Sequence, residues 1–222
     1  MNLSSLLSAQ PKGHARTALP KPRSGRKRDR AAKQEALIRA ATKLFAAKGY
    51  DVTTTREIAA TAGCAEGLIH RYFQGKAGLL LGMMNYHASR DVEELDDRLP
   101  MADTLEEEIQ QLMAWEVERL WRDRDLLRAC LPHAILDPKV GRFLSRIGPQ
   151  RDAKAIAERL RRHRKKGTQV SDDEIDAISP AIGALGFSFG FMRPVVFGFE
   201  NKQARKAAAC VGRIITRGLQ LR

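Results

Sequence analysis

Along almost the whole chain, apolar residues recur at spacings of three and four, the period of an amphipathic helix rather than the alternation of a strand. Leu37, Ile38, Ala41, Leu44 and Phe45 make the first such stripe. Gly49 ends that helix, with Lys48 in the last turn, where a cation suits the helix dipole. Thr54-Thr55-Arg56-Glu57 is a capping box, in which a hydroxyl and a carboxylate three residues apart satisfy the free N–H groups of a helix start. It opens a short helix through Ile58, Ala59 and Ala62, closed by Gly63. A third helix runs from near Ala65 to Phe73, its Ile69 and Phe73 spaced to face inward. Gln74-Gly75 interrupts, and Lys76 starts a longer helix that reaches about Leu99 before Pro100 stops it.

Two more capping boxes follow, Thr104 with Glu107 and Ser171 with Glu174. The first opens a helix through Leu112, Trp115 and Leu120; the second opens one to about Met192, with a kink or restart at Pro180. Pro132, Pro138 and Pro149 divide the intervening chain into shorter helices, residues 152–166 form a basic one, and residues 202–219 form the last. No long segment alternates with period two and β-branched residues are sparse, so the pattern predicts an all-α fold of about nine helices.

Composition adds that 43% apolar residues suffice for a core without a disulfide or metal staple. Charge changes the picture more. With 39 Lys and Arg against 26 Asp and Glu the net charge is +13, and residues 1–30 supply +7 of it from eight basic and one acidic side chain. That stretch mixes Ser, Pro, Gly, Lys and Arg with no apolar period, which reads as a disordered basic arm. A basic arm on a nearly balanced body predicts a polyanionic partner, nucleic acid or an anionic membrane surface. No membrane-spanning segment is expected, because the longest apolar stretch, residues 181–199, is broken by Arg193-Pro194 and rich in Gly. Residues 1–30 lack the apolar core of a secretory signal, and Pro11, Pro20 and Pro22 spoil an amphipathic transit helix. Cys64, Cys130 and Cys210 are odd in number and far apart, which suits free thiols in the cytoplasm.

The informative stretch is residues 53–76, TTTREIAATAGCAEGLIHRYFQGK. Two short helices about a tight Gly-containing turn make a helix-turn-helix, whose second helix can enter the DNA major groove while the first crosses the backbone. Ile58, Ala59, Cys64, Ile69 and Phe73 can form a small core, which leaves Ala65, Glu66, Gly67, Leu68, His70 and Arg71 to face outward. A helix pair with a Gly turn is weak evidence alone, since many α-hairpins share it.

Residues 40–80 resemble the DNA-binding domain of the tetracycline-repressor (TetR) family of bacterial regulators. The matching pieces are LFAAKGY, then TTxREIAxxAG, then GLIHRYFQGKAGLL, in order and at the right spacing. The resemblance implies three parts: the arm (1–30), a three-helix DNA-binding domain (31–80) and a helical effector-binding and dimerisation domain (81–222). It also implies a homodimeric, sequence-specific regulator, typically a repressor, on a near-palindromic double-stranded operator and released by a small molecule. By match to the family, Thr53 and Thr55 hold a phosphate at the start of the second helix, Thr54 caps it beside Arg56, and Tyr72 and Lys76 grip further phosphates. His70 stands where the family most often has Tyr, and Leu68 where a small or hydroxyl residue is common. Leu68 can pack on a thymine methyl, Glu66 can accept from a cytosine amino group, and Arg71 can reach guanine or phosphate. A DNA-binding protein without sequence choice is the alternative reading; it predicts a specificity ratio near one with a steep salt slope.

Other constellations are incomplete. Cys130-x-x-His133 is half a zinc site with no second pair, and no catalytic or phosphate-loop motif appears, so neither metal, cofactor nor enzymatic activity is expected. Gly183, Gly186 and Gly190 space like a close-packing helix face. The acidic run 91–97 and the basic run 159–166 read as solvated faces. Met113, Trp115, Trp121, Phe143, Phe187, Phe189 and Met192 are candidates to line an effector cavity. On the last helix Ala204, Ala207, Ala208, Val211, Ile214, Ile215 and Gly218 make one apolar stripe. Gly183, Ala184, Phe187 and Phe191 offer a matching face on the helix before it, so two helices from each subunit can form a four-helix dimer interface.

Overall fold

The computed structural model describes residues 24–164 and 170–220. Among them it shows ten α-helices and a π-helical segment, and no strand. The order is α1 (Ser24–Lys48), α2 (Thr55–Thr61), α3 (Gly67–Phe73), α4 (Lys76–Arg98), α5 (Leu105–Arg122) and α6 (Arg124–Leu136). Then come α7 (Pro138–Ile147), α8 (Pro149–Arg164), α9 (Asp172–Phe187), the π segment (Ser188–Val196) and α10 (Asn201–Gln220).

All three capping boxes form, on α2, α5 and α9, each with the hydroxyl accepting from the backbone N–H three residues on. Two boundaries differ from the sequence pattern. Helix α1 begins at Ser24, so residues 24–30 belong to a helix and not to a disordered arm. Arg and Lys are good helix formers, and past Pro22 nothing in the chain forbids helix, so charge alone misled there. The rest of the arm, residues 1–23, lies outside the described residues. Pro180 does not end its helix: α9 runs on to Phe187. Pro180 is exposed, so the carbonyl that its missing N–H leaves free can turn to water. The irregularity comes later, where the turns widen across Arg193-Pro194.

The chain divides into two compact units, residues up to 86 with 125–144, and residues 87–124 with those from 145 onward. The boundary expected at residue 80 therefore falls inside α4, and residues 125–144 group with the first unit rather than the second. A long helix carries no local mark of where its packing partners change.

Within the first unit α1 packs on α2. Its buried residues include Leu37, Ala41 and Phe45 from α1, Ile58 and Ala59 from α2, Ile69 from α3, and Leu79, Leu80 and Met83 from α4. In the second unit α5 is the central helix, packed against α8, α9, the π segment and α10. Its core gathers Ile109, Leu112, Met113, Val117, Ile156, Leu160, Ile175 and Ile182. Two glycines let the backbones approach: a Cβ on Gly190 would lie 2.5 Å from the Val117 carbonyl, and one on Gly186 2.6 Å from Glu116 Cβ. Gly183, of the same spacing, has open space around it.

That core also encloses charge. Arg159, 2% exposed, donates to Glu108 Oε1 at 2.7 Å and to the carbonyls of Leu99 (2.8 Å) and Pro100 (3.3 Å). His163, 1% exposed, lies with its Nε2 3.6 Å from the other Glu108 oxygen. The basic run expected to be a solvated face thus turns two of its members inward, because a buried carboxylate waits on α5. Burial alone would raise the Glu108 pKa, but Arg159 and the Ala102 N–H overcome it and hold the carboxyl below its ordinary value.

By length and composition, residues 172–196 form a helix apolar enough to cross a bilayer. Ile175, Ile178, Ile182 and Phe189 of that stretch nevertheless belong to the second unit's core, as in a core helix of a folded domain.

Candidate nucleic-acid interface

The turn between α2 and α3 rests on Gly63, at φ +62, a conformation that strains any residue with a side chain. It brings α3 back against α2, and Thr55 Oγ1 then donates to Glu66 Oε1 across the turn at 2.6 Å. The start of α2 is held from both sides. Thr54 Oγ1 accepts from the Glu57 N–H, Glu57 accepts from the Thr54 N–H at 2.9 Å, and Lys48 donates to Glu57 at 2.9 Å. The Thr54 backbone N–H, Lys48 and the Thr54 hydroxyl together draw the Glu57 pKa down to about 2.

On α3 the sorting of faces is clear. Ile69 is wholly buried, whereas Ala65, Glu66, Gly67, His70 and Arg71 are exposed and Leu68 is half-buried. Arg56 is exposed on α2. The exposed set combines a donor of planar geometry (Arg71), a ring with both donor and acceptor capacity (His70), an acceptor (Glu66) and a backbone uncovered by any side chain (Gly67). Such a surface has the chemistry to read base edges.

Two of the phosphate positions carried over by resemblance are corrected. Thr53 is fully buried, and its hydroxyl donates to the Gly49 carbonyl at 2.7 Å, so it braces the end of α1 instead of facing a ligand. Lys76 folds inward: its Nζ donates to the carbonyls of Tyr50 (3.0 Å), Asp51 (3.2 Å) and Thr53 (3.0 Å) and lies 4.4 Å from the Tyr50 ring centroid. An ammonium has three N–H donors. With all three engaged, Lys76 is a clamp on the loop before α2. The signal was available in the sequence only as Gly49-Tyr50, whose turn leaves three carbonyls without helix partners.

Sequence reasoning also missed residues that lie in other segments. His133 on α6 packs edge-on against Tyr50, ring centroids 4.4 Å apart; burial lowers its pKa, more than nearby Asp51 restores. Arg30 lies over the Tyr72 ring at 5.3 Å. Spacing along one chain carries no trace of such contacts.

In the second unit the candidate effector residues scatter. Met113 and Phe189 are core, Phe187 stacks on Phe191 at 5.4 Å, Trp121 lies under Arg124 at 4.7 Å, and Met192 is half-buried. Trp115 lines a shallow pocket of about 200 Å³ with Glu118, Arg119 and Arg122. Phe143 groups with the first unit. A larger groove of about 510 Å³ lies between α5 and α10, bordered by Gln110, Ala114, Glu118 and Arg205.

The dimer stripe is corrected in part. Ala204 and Ala208 are buried in the protomer, 1% and 2% exposed, and Ala207, Val211 and Ile215 pack against its core. That stripe covers the protomer itself, because α10 lies along α5. Phe191, 3% exposed, is likewise internal. Ile214 is 63% exposed, Ala184 is exposed, and Gly183 and Phe187 are half-buried. Among the described residues no group of His, Cys, Asp and Glu is arranged to hold a metal ion.

Comparison with known proteins follows the same lines. Residues 37–83 match the model of the bacterial regulatory proteins, tetR family. The chain is 44% identical over 55 residues to the uncharacterized HTH-type transcriptional regulator YuxN of Bacillus subtilis (strain 168), an alignment covering 25% of this chain and 19% of that one. It is 42% identical over 53 residues to YvkB of the same organism, covering 24% and 28%. The chain thus matches less than a third of the length of either relative. Over the whole fold it is similar to a TetR-family transcriptional regulator from Mesorhizobium loti, with a TM-score of 0.70 at 25% identity, covering 84% of this chain and 96% of that one. A transcriptional regulator from Saccharomonospora viridis, solved in complex with choline, shares the fold at a TM-score of 0.63 and 18% identity, covering 80% and 94%.

Proposed function

Starting from a chain whose residues 37–83 match the model of the bacterial regulatory proteins, tetR family, we propose a sequence-specific DNA-binding transcriptional regulator. It acts in the cytoplasm as a homodimer on a near-palindromic operator, represses, and is released by a small molecule. The carrying observation is the sorting of faces on α3: Ile69 is buried to anchor the helix, while Glu66, Gly67, His70 and Arg71 stand open to solvent. Thr54, Thr55, Arg56 and Tyr72 flank that surface as backbone contacts. A helix seven residues long, held at both ends by a capped neighbour and a rigid turn, is suited to enter a major groove about 12 Å wide.

The homodimer is supported by Ile214 on α10 and by Ala184 and Phe187 on α9, which remain uncovered or half-covered in the second unit. Two-fold symmetry would place two α3 helices one DNA turn apart, roughly 34–36 Å. The choline-bound neighbour supports a small-molecule effector as a class, and the groove between α5 and α10 is a place to seek it. The test is selection of duplexes from a random-sequence library by the purified full chain. The proposal expects an enriched motif with inverted half-sites. Recovery of unenriched DNA would favour binding without sequence choice, to which the basic N-terminal excess alone would suffice.

A further inference from the structure

The amino-terminal end of α1 lies beside the carboxyl end of α3. Arg30 is exposed, and its guanidinium carbon stands 5.3 Å over the centroid of the Tyr72 ring. Tyr72 is half-buried and braced edge-on by Phe73, ring centroids 6.5 Å apart, so the guanidinium rests on a fixed platform. Stacking on an aromatic face leaves the N–H groups at the guanidinium edge free to donate outward. One helical turn spans Arg28 and Arg30, both exposed, and between them Asp29 is held by Lys33 at 2.9 Å. The acidic residue of this turn is thereby neutralised by its own neighbour. Further along α1 the contrast is plain: Arg39 is equally exposed but pairs with Glu35 at 3.3 Å.

We propose that Arg30, seated on Tyr72 and supported by Arg28, is a phosphate-binding site that carries the DNA interface from the helix-turn-helix onto α1. It rests on the DNA-binding reading above. The occupant is the sugar-phosphate backbone of the duplex whose groove α3 enters, and the contact is indifferent to sequence. Neither residue falls within the segment that matches the family model, residues 37–83. The stacked geometry matters as well as the charge. Arg presents a planar fork of donors suited to phosphate, and the Tyr72 ring beneath its guanidinium carbon narrows where that fork can lie.

The experiment measures the dissociation constant of the full chain for a 30-base-pair duplex of random sequence, and for one selected from a library, from 50 to 200 mM salt. Each lost phosphate contact should lower the slope of log affinity on log salt by about 0.9. Arg30→Gln is expected to lose that slope increment on both duplexes alike. Over this fourfold range its affinity should then fall about threefold less than the wild type's. Tyr72→Leu should move the slope in the same direction by removing the seat, since the neutral phenol's own backbone contact releases no counterion. Arg39→Gln, an equal loss of charge on the same helix, should leave the slope where it was. An Arg30→Gln slope equal to those of the wild type and Arg39→Gln overturns this inference while leaving the DNA-binding reading intact. A wild-type chain that binds neither duplex at 50 mM salt overturns both.

Discussion

In the first unit, several of the polar groups near the start of α2 find partners close by in the chain. Thr53 reaches Gly49 four residues back, and Thr54 and Glu57 cap each other three residues apart. In the second unit, Arg159 finds Glu108 across 51 residues and the Leu99 carbonyl across 60. The first arrangement is readable from spacing, and a change within it acts locally. The second exists only once the helices have packed, and a change in it leaves a charge inside a core. The two units should therefore fail differently.

The largest effect is expected where a charge enters the packed side of α10. Ala208→Glu puts a carboxylate at a site 2% exposed and should prevent the second unit from folding, a loss above roughly 4 kcal/mol. Ile214→Glu, two turns on at a site 63% exposed, should give a folded monomer with weakened operator binding. Circular dichroism and sedimentation of the two variants separate these outcomes; a folded Ala208→Glu monomer would restore the stripe to the dimer interface. Next, Arg159→Met removes the guanidinium paired with buried Glu108 and should cost about 3–5 kcal/mol in thermal or urea unfolding, whereas Arg159→Met with Glu108→Leu should recover much of that loss. A near-neutral single variant would show that water reaches the carboxylate.

These residues show why the two units were unequally legible. Capping boxes, helix periods and the inward Ile69 follow from intervals of two to four residues, so α2, α3 and their exposed face could be read directly. Arg159 and His163 looked like members of a solvated basic run because their partner sits on α5. Lys76 looked like a phosphate contact because the carbonyls of residues 50, 51 and 53 that receive it lie more than twenty positions away. The stripe on α10 is apolar by its period, but periodicity cannot say whether an apolar face meets its own protomer or a second copy. Composition places Arg30 with the basic arm, whereas its ring contact, Tyr72, lies forty-two residues on.

Smaller effects sharpen the contrast from the other side. Arg71→Ala should weaken binding to a selected operator by about 1–3 kcal/mol without changing thermal stability, since the side chain is exposed. Equal loss on random DNA would reassign it to the backbone. Thr54→Ala should cost about 1 kcal/mol through the lost cap. The accompanying pH dependence has a definite sign. Glu57 is more acidic when folded, at about 2, than its unfolded value of about 4.3, so its contribution is full above that value and disappears as pH falls toward 2. Acid titration of unfolding midpoints should therefore show in the wild type a loss between about pH 4 and 2 that Glu57→Gln lacks.

The exposed face of α3 is expected to read sequence. The most direct measurement is the ratio of dissociation constants for random duplex and for the best duplex selected by the full chain, at one stated salt concentration near 150 mM. A ratio of about 10³ or more is expected, with half-sites related by a two-fold axis. A ratio near one, with affinity governed by salt alone, would contradict it and leave a basic protein that binds DNA by charge.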